Sequence, residues 1–203
     1  MNQNAFAEII ESSLEYFIAQ SWQPDNFPAF GSLVCVPTAT QTIVGCVTQI
    51  QTGSMDPSRY PFPYQKTEAQ LKAEQPQIFA FLKTTFRVRI IGYADTKTDK
   101  ALFLLPPIPC KIHAFVFNAA PTLQTKFLSN ASFLHLLFSF ASQIPNLDEL
   151  LLAILRTLPV SNKNQSQQFL RDFCHTFSML TGSDYRRLKI FLQRVEEIAA
   201  PQS

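Results

Sequence analysis

Thr85-Phe86-Arg87-Val88-Arg89-Ile90-Ile91-Gly92-Tyr93 begins by alternating apolar and basic residues with a period of two. Phe86, Val88 and Ile90 fall on one face, Arg87 and Arg89 on the other, which is the pattern of a half-buried β-strand. Working outward, residues 32–37 (SLVCVP) form a short apolar, β-branched run. Residues 42–51 (TIVGCVTQIQ) set Ile43, Gly45, Val47 and Gln49 against Val44, Cys46, Thr48 and Ile50. Residues 100–105 and 111–118 complete about five strands, with residues 95–100 as the turn of a hairpin. Left open, so few short strands would expose two long edges, so the expectation is a small closed β-barrel.

Two insertions interrupt the strands. Residues 52–66 (TGSMDPSRYPFPYQK) form a loop punctuated by Pro57, Pro61 and Pro63. Residues 67–83 read as helical: Thr67 and Gln70 have the capping-box spacing, and Pro76 suits the first turn of a second helical piece. Ahead of the strands, Phe6, Ile9, Ile10, Leu14, Phe17 and Ile18 recur at helical spacing, with Glu8, Glu11 and Glu15 on the other face. This spacing predicts an N-terminal amphipathic helix over residues 4–20, ended by Trp22, Pro24 and Pro28. After Pro121 the period becomes helical, and residues 128–142, 147–158, 165–180 and 184–199 read as four helices. The expected class is α+β: a helix and connector over 1–29, a barrel with a helical insertion over 30–121, and an α-helical region over 122–203.

The chain has 203 residues, of which 46% are hydrophobic and 16% charged, a composition that excludes extensive disorder. Five glycines against 14 prolines argue against Gly-rich phosphate loops. The net charge of +2 is too even to point to nucleic acid or an anionic membrane. It is unevenly spread: residues 1–30 carry Glu8, Glu11, Glu15 and Asp25 and no Lys or Arg. The most apolar stretch, residues 127–144, is interrupted by Ser129, Asn130, Ser132, His135 and Gln143, too many polar groups for a membrane span. The N-terminus lacks the basic and small-residue features of a signal peptide. Cys35, Cys46, Cys110 and Cys174 have no CxxC or zinc-ligand spacing and read as reduced, buried residues, with a Cys35–Cys46 disulfide as the alternative. A cytoplasmic protein without a transmembrane segment is expected, which leaves peripheral membrane contact open.

The stretch from Phe30 to Pro121 resembles the HAS barrel shared by HerA-type DNA translocases and the catalytic subunits of ATP synthase. The residues that carry the resemblance are Gly31-Ser32-Leu33-Val34, Ile43-Val44-Gly45-Cys46-Val47, the strand from Phe86 to Tyr93, and Pro106-Pro107-Ile108-Pro109 leading toward residues 111–117. In those families the barrel precedes a RecA-like ATPase domain and serves assembly. Here Gly182 is the only glycine beyond residue 121, so no P-loop follows. The resemblance implies a barrel without its motor, acting as an adaptor or assembly factor.

The chain has no GxSxG, HExxH, GxGxxG or paired-carboxylate constellation, so no catalytic residue, metal or cofactor is expected. His113, His135 and His175 read as core or half-buried histidines, and adjacent Cys174 and His175 splay apart on a helix. Two surfaces suit a protein partner. One is the proline-rich loop with Arg59, Tyr60, Phe62 and Tyr64, since aromatics with an Arg are common interface anchors. The other is the basic cluster Arg186, Arg187, Lys189 and Arg194. The competing readings are a nucleic-acid-binding module using Arg59, Arg87, Arg89 and the basic helix, and a small-molecule barrel with a cavity lined by Phe86, Val88 and Phe115.

Overall fold

The computed structural model describes residues 4–56, 58, 61–129, 131–157 and 163–199. In chain order the elements are strands β1 (Ala7–Ser12), β2 (Tyr16–Ser21), β3 (Leu33–Pro37) and β4 (Gln41–Ser54), then helices α1 (Glu68–Glu74) and α2 (Gln77–Ala80). Strands β5 (Leu82–Asp95), β6 (Ala101–Leu102) and β7 (Phe115–Asn118) follow. Helices α3 (Pro121–Phe127), α4 (Phe133–Ser139), a 3₁₀ turn (Ala141–Gln143), α5 (Leu147–Arg156), α6 (Lys163–Thr181) and α7 (Tyr185–Ala199) complete the chain.

The expected N-terminal helix is instead a β-hairpin, and this corrects both the element and the barrel boundary at residue 30. Apolar residues at 6, 9, 10, 14, 17 and 18 satisfy a helical stripe. They also allow Ala7 and Ile9 on β1, and Phe17 and Ala19 on β2, to face inward, and all four are fully buried. Two causes select the hairpin. Ser13 turns the chain locally: its Oγ accepts from the amides of Glu15 and Tyr16, and its amide donates to the Tyr16 carbonyl at 2.8 Å. The hairpin also fills the gap between β7 and β5, pairing Ala7 with Val116 and Phe17 with Val88. Without it both strands would be raw edges.

The result is a closed six-stranded antiparallel barrel of order β1-β2-β5-β4-β3-β7, returning to β1, with β6 added on β5. Its interior holds Phe6, Ile9, Phe17, Val34, Val36, Ile43, Val47, Phe86, Val88, Ile90, Cys110 and Val116. The cavity that a small-molecule barrel would need is therefore occupied by Phe86 and Val88 themselves, while Phe115 is half exposed. At Gly92 (φ +149°) a Cβ would meet the Leu102 carbonyl at 2.3 Å, so only glycine lets β6 cross β5 there.

The strand residues of opposite register on β3, β4 and β5 face the helices. Leu33, Cys35, Val44, Cys46, Ile91 and Ala94 belong to one core with Phe127, Phe133, Leu150, Leu151, Ile154, Phe173, Phe177 and Phe191. The phenylalanine excess is spent here: Phe177 and Phe191 stack at 4.0 Å between centroids, and Phe173 packs on Phe133, Phe169 and Phe191. Elsewhere the boundaries shift. The helix expected over 128–142 is split, with a separate α3 before it, and α1 starts behind the capping box of Thr67 and Gln70. The strands expected over 100–105 and 111–118 shorten to β6 and β7. No helix among the described residues is long and apolar enough to cross a membrane.

Candidate functional site

The structure divides the expected basic cluster. Arg187 grips Asp148 of α5 through Nε at 3.0 Å and an η nitrogen at 2.6 Å, and its guanidinium also lies near the Phe138 and Phe177 rings. The hydrogen bond to Asp148 pushes its pKa up. Arg194 pairs with Glu149 of α5, which holds that carboxyl below its ordinary value. Both side chains therefore clamp α7 on α5. Arg186 and Lys189 lie on the exposed face of α7. In the other expected surface, Arg59 and Tyr60 lie outside the described residues. Phe62 is 70% exposed and meets Tyr64 edge-on at 5.5 Å.

Arg89 is the barrel's largest fully buried side chain, although the nucleic-acid reading needs it at the surface. It extends from β5 to Glu15 Oε2 at 3.3 Å and to Gln143 Oε1 at 2.9 Å, with the Phe140 ring at 4.6 Å. Burial lowers its pKa and Glu15 opposes that shift. It joins the β1–β2 turn to the 3₁₀ turn. Arg87, half-buried, covers the Tyr16 ring at 4.4 Å.

Strands β1 and β2, the connector after them and helix α2 enclose a cleft of about 470 Å³. Glu8 and Ile10 of β1, Gln20 and Ser21 of β2, and Trp22 and Pro24 of the connector form one side. Met55, Phe79, Ala80 and Leu82 form the other, with His113 at the rim. Ile10, Trp22 and Met55 are each about half exposed. Phe115 stands edge-on to Trp22 at 5.3 Å, and Phe81 adds an exposed ring beside Met55, whose amide donates to its carbonyl. The surface is mostly apolar, with one polar pair at its rim, His113 Nδ1 to Glu8 Oε1 at 2.5 Å.

His113 sits in a turn at φ +67° and is exposed, as are His135 and His175, so none of the three is the core histidine the sequence suggests. Glu8 orients the His113 ring as a hydrolase triad would. Ser21, however, shares the inward register of Phe17 and Ala19, and its buried hydroxyl has no hydrogen-bond partner, so no serine–histidine relay is assembled. All four cysteines are free. Burial pushes the Cys35 thiol up to about 11 and those of Cys46 and Cys110 to about 12, which makes them poor nucleophiles.

Sequence reasoning missed this cleft because it assigned Ile10 to a buried helix face and Trp22 to that helix's end. A lone tryptophan beside a proline-rich connector was the available signal. No protein-family model matches the chain, and no curated protein is significantly similar to it.

Proposed function

We propose that the chain is a non-enzymatic adaptor or assembly factor, and that a partner protein docks on the face around the Trp22 cleft. The observation that carries this reading is the concentration of half-exposed Ile10, Trp22, Met55, Phe81 and Phe115 on strands and loops that the helical layer leaves uncovered. Large aromatic and Met side chains beside a concavity, with a polar pair at the rim, have the anatomy of an interaction surface. Exposed Phe62 and Tyr64, which follow Met55 in sequence, can extend the same contact. Arg186 and Lys189 on α7 offer a separate, polar contact. The resemblance of residues 30–121 to HAS barrels, whose role in their families is assembly, points the same way. Four free cysteines support a reducing, cytoplasmic compartment. A nucleic-acid-binding barrel has less support, because Arg89 is buried and Arg87 is engaged with Tyr16.

The test is a tagged pull-down from native cells with gentle cross-linking and mass spectrometry. One dominant protein should be recovered. It should be lost with Ile10→Glu plus Trp22→Ser and kept with Arg186→Glu plus Lys189→Glu. An empty eluate, or a partner indifferent to the cleft variant, rejects this docking face.

A further inference from the structure

Among the described residues the far half of β4 has a strand neighbour on one side only. β3 accompanies it as far as Cys46, opposite Leu33, and the last contacts on that side are Val47 N–H to the Ser32 carbonyl and Gly31 N–H to the Val47 carbonyl. On the other side β5 follows it to the end, where Ser54 faces Leu82 and the Met55 amide donates to the Phe81 carbonyl at 2.8 Å. In an antiparallel ladder successive residues direct their amide and carbonyl to opposite sides. Met55 faces β5, so Gly53 and Gln51 do as well. Ile50, Thr52 and Ser54 then direct theirs to the open side. Among the described residues no backbone–backbone hydrogen bond outside the β4–β5 ladder involves these three, although Ser54 Oγ accepts from the Asp56 amide at 3.2 Å. Gln51 and Thr52 are exposed, and a Cβ added at Gly53 would meet nothing within 4 Å.

Natural edge strands are blunted by Lys, Pro, bulges or covering segments. From Gln41 to Ser54 this strand contains no charged residue and no proline. Its bulge between Val47 and Gln49 lies at the base of the open segment, and from Gln49 to Ser54 the register with β5 is regular. Only another extended strand supplies acceptors and donors in this alternating order.

We propose that this edge pairs with the same edge of a second copy of the chain, antiparallel about a twofold axis at Thr52. In that register Thr52 exchanges both bonds with its counterpart and Ile50 pairs with Ser54, giving about six backbone hydrogen bonds. Cross-strand partners are Thr with Thr and Gln51 with Gly53, with no like charges opposed. The nearest charges are Lys83, one strand away, and Asp56, which falls opposite Thr48. The contact is short, so the dimer is concentration-dependent, and it ends one residue before Met55 of the cleft wall.

Sedimentation equilibrium of the full chain from about 1 to about 500 µM should show monomers converting to dimers and no larger species. Thr52→Pro removes an outward N–H and no β4–β5 bond, and should abolish the dimer. Thr52→Ala, which loses only the hydroxyl contact with Thr84, should keep it. Hydrogen exchange of the unaltered chain provides a readout that needs no variant: the Ile50, Thr52 and Ser54 amides should slow at least fivefold at the high concentration, while the Trp22 side of the barrel does not change. A chain that stays monomeric throughout, or dimerises with no change at these three amides, overturns the proposal.

Discussion

Arg89 and the cysteines show how position reverses the usual meaning of a residue type. An arginine alternating on a strand reads as solvent-facing, yet here the helical layer covers it, and Glu15, Gln143 and two aromatic rings take over from water. Its Nε has no partner among the described residues, so the arrangement is a structural junction with one hydrogen bond missing. The cysteines carry a pH consequence. Burial pushes the thiols of Cys35, Cys46 and Cys110 from an ordinary 9.0 up to about 11 to 12. The folded state holds these protons more tightly, so their contribution to stability is complete below pH 9 and is lost as pH rises toward 12. Melting temperature should therefore hold to about pH 9 and fall above it, and Cys46→Ala should make the fall shallower. At neutral pH a thiol reagent should label the half-buried Cys174 before the other three. Rapid labelling of Cys46 in the native protein would contradict its placement.

The N-terminal hairpin shows why periodicity alone misassigns an element. Its apolar spacing satisfies periods of both 3.6 and 2, and local propensity does not decide between them. The two assignments differ at Leu14. A helix buries it with Phe17 and Ile18, whereas the hairpin leaves it 42% exposed near the turn. Leu14→Lys should thus change stability by less than about 0.5 kcal/mol in urea unfolding, while Phe17→Ala should cost about 3–5 kcal/mol. A large cost at Leu14 would restore the helix. At the other end of the chain, α7 appears in sequence as a basic helix open to a partner. Asp148 and Glu149, in the first turn of α5, take up two of its cations. Those acidic residues lie some 40 positions away, and spacing within α7 gives no sign of them.

At the scale of the molecule, barrel and helices are one structure. Leu33, Cys35, Val44, Cys46 and Ile91 contribute from the barrel to a core that continues through α4 to α7. Heat or urea should therefore unfold the chain in a single step, with circular dichroism at 222 nm and Trp22 emission giving coincident curves. Emission that shifts before the helical signal falls would mean that the barrel and the helices are independent.

The strands whose faces differ in polarity, the capping box behind α1, the two long C-terminal helices and the α+β class are all legible in the amino-acid order. Each of these is written within a single segment, as an alternation, a cap or a stripe. That order also supplied the reason for closure, since so few short strands left open would expose two edges. Packing in three dimensions is what makes residues 7–21 the two missing strands, buries Arg89, pairs Arg187 and Arg194 with α5, and brings Ile10, Trp22 and Met55 to one cleft. In each case the outcome depends on which residue arrives from a distant part of the chain. That contact is set by packing and strand closure, which no local pattern encodes.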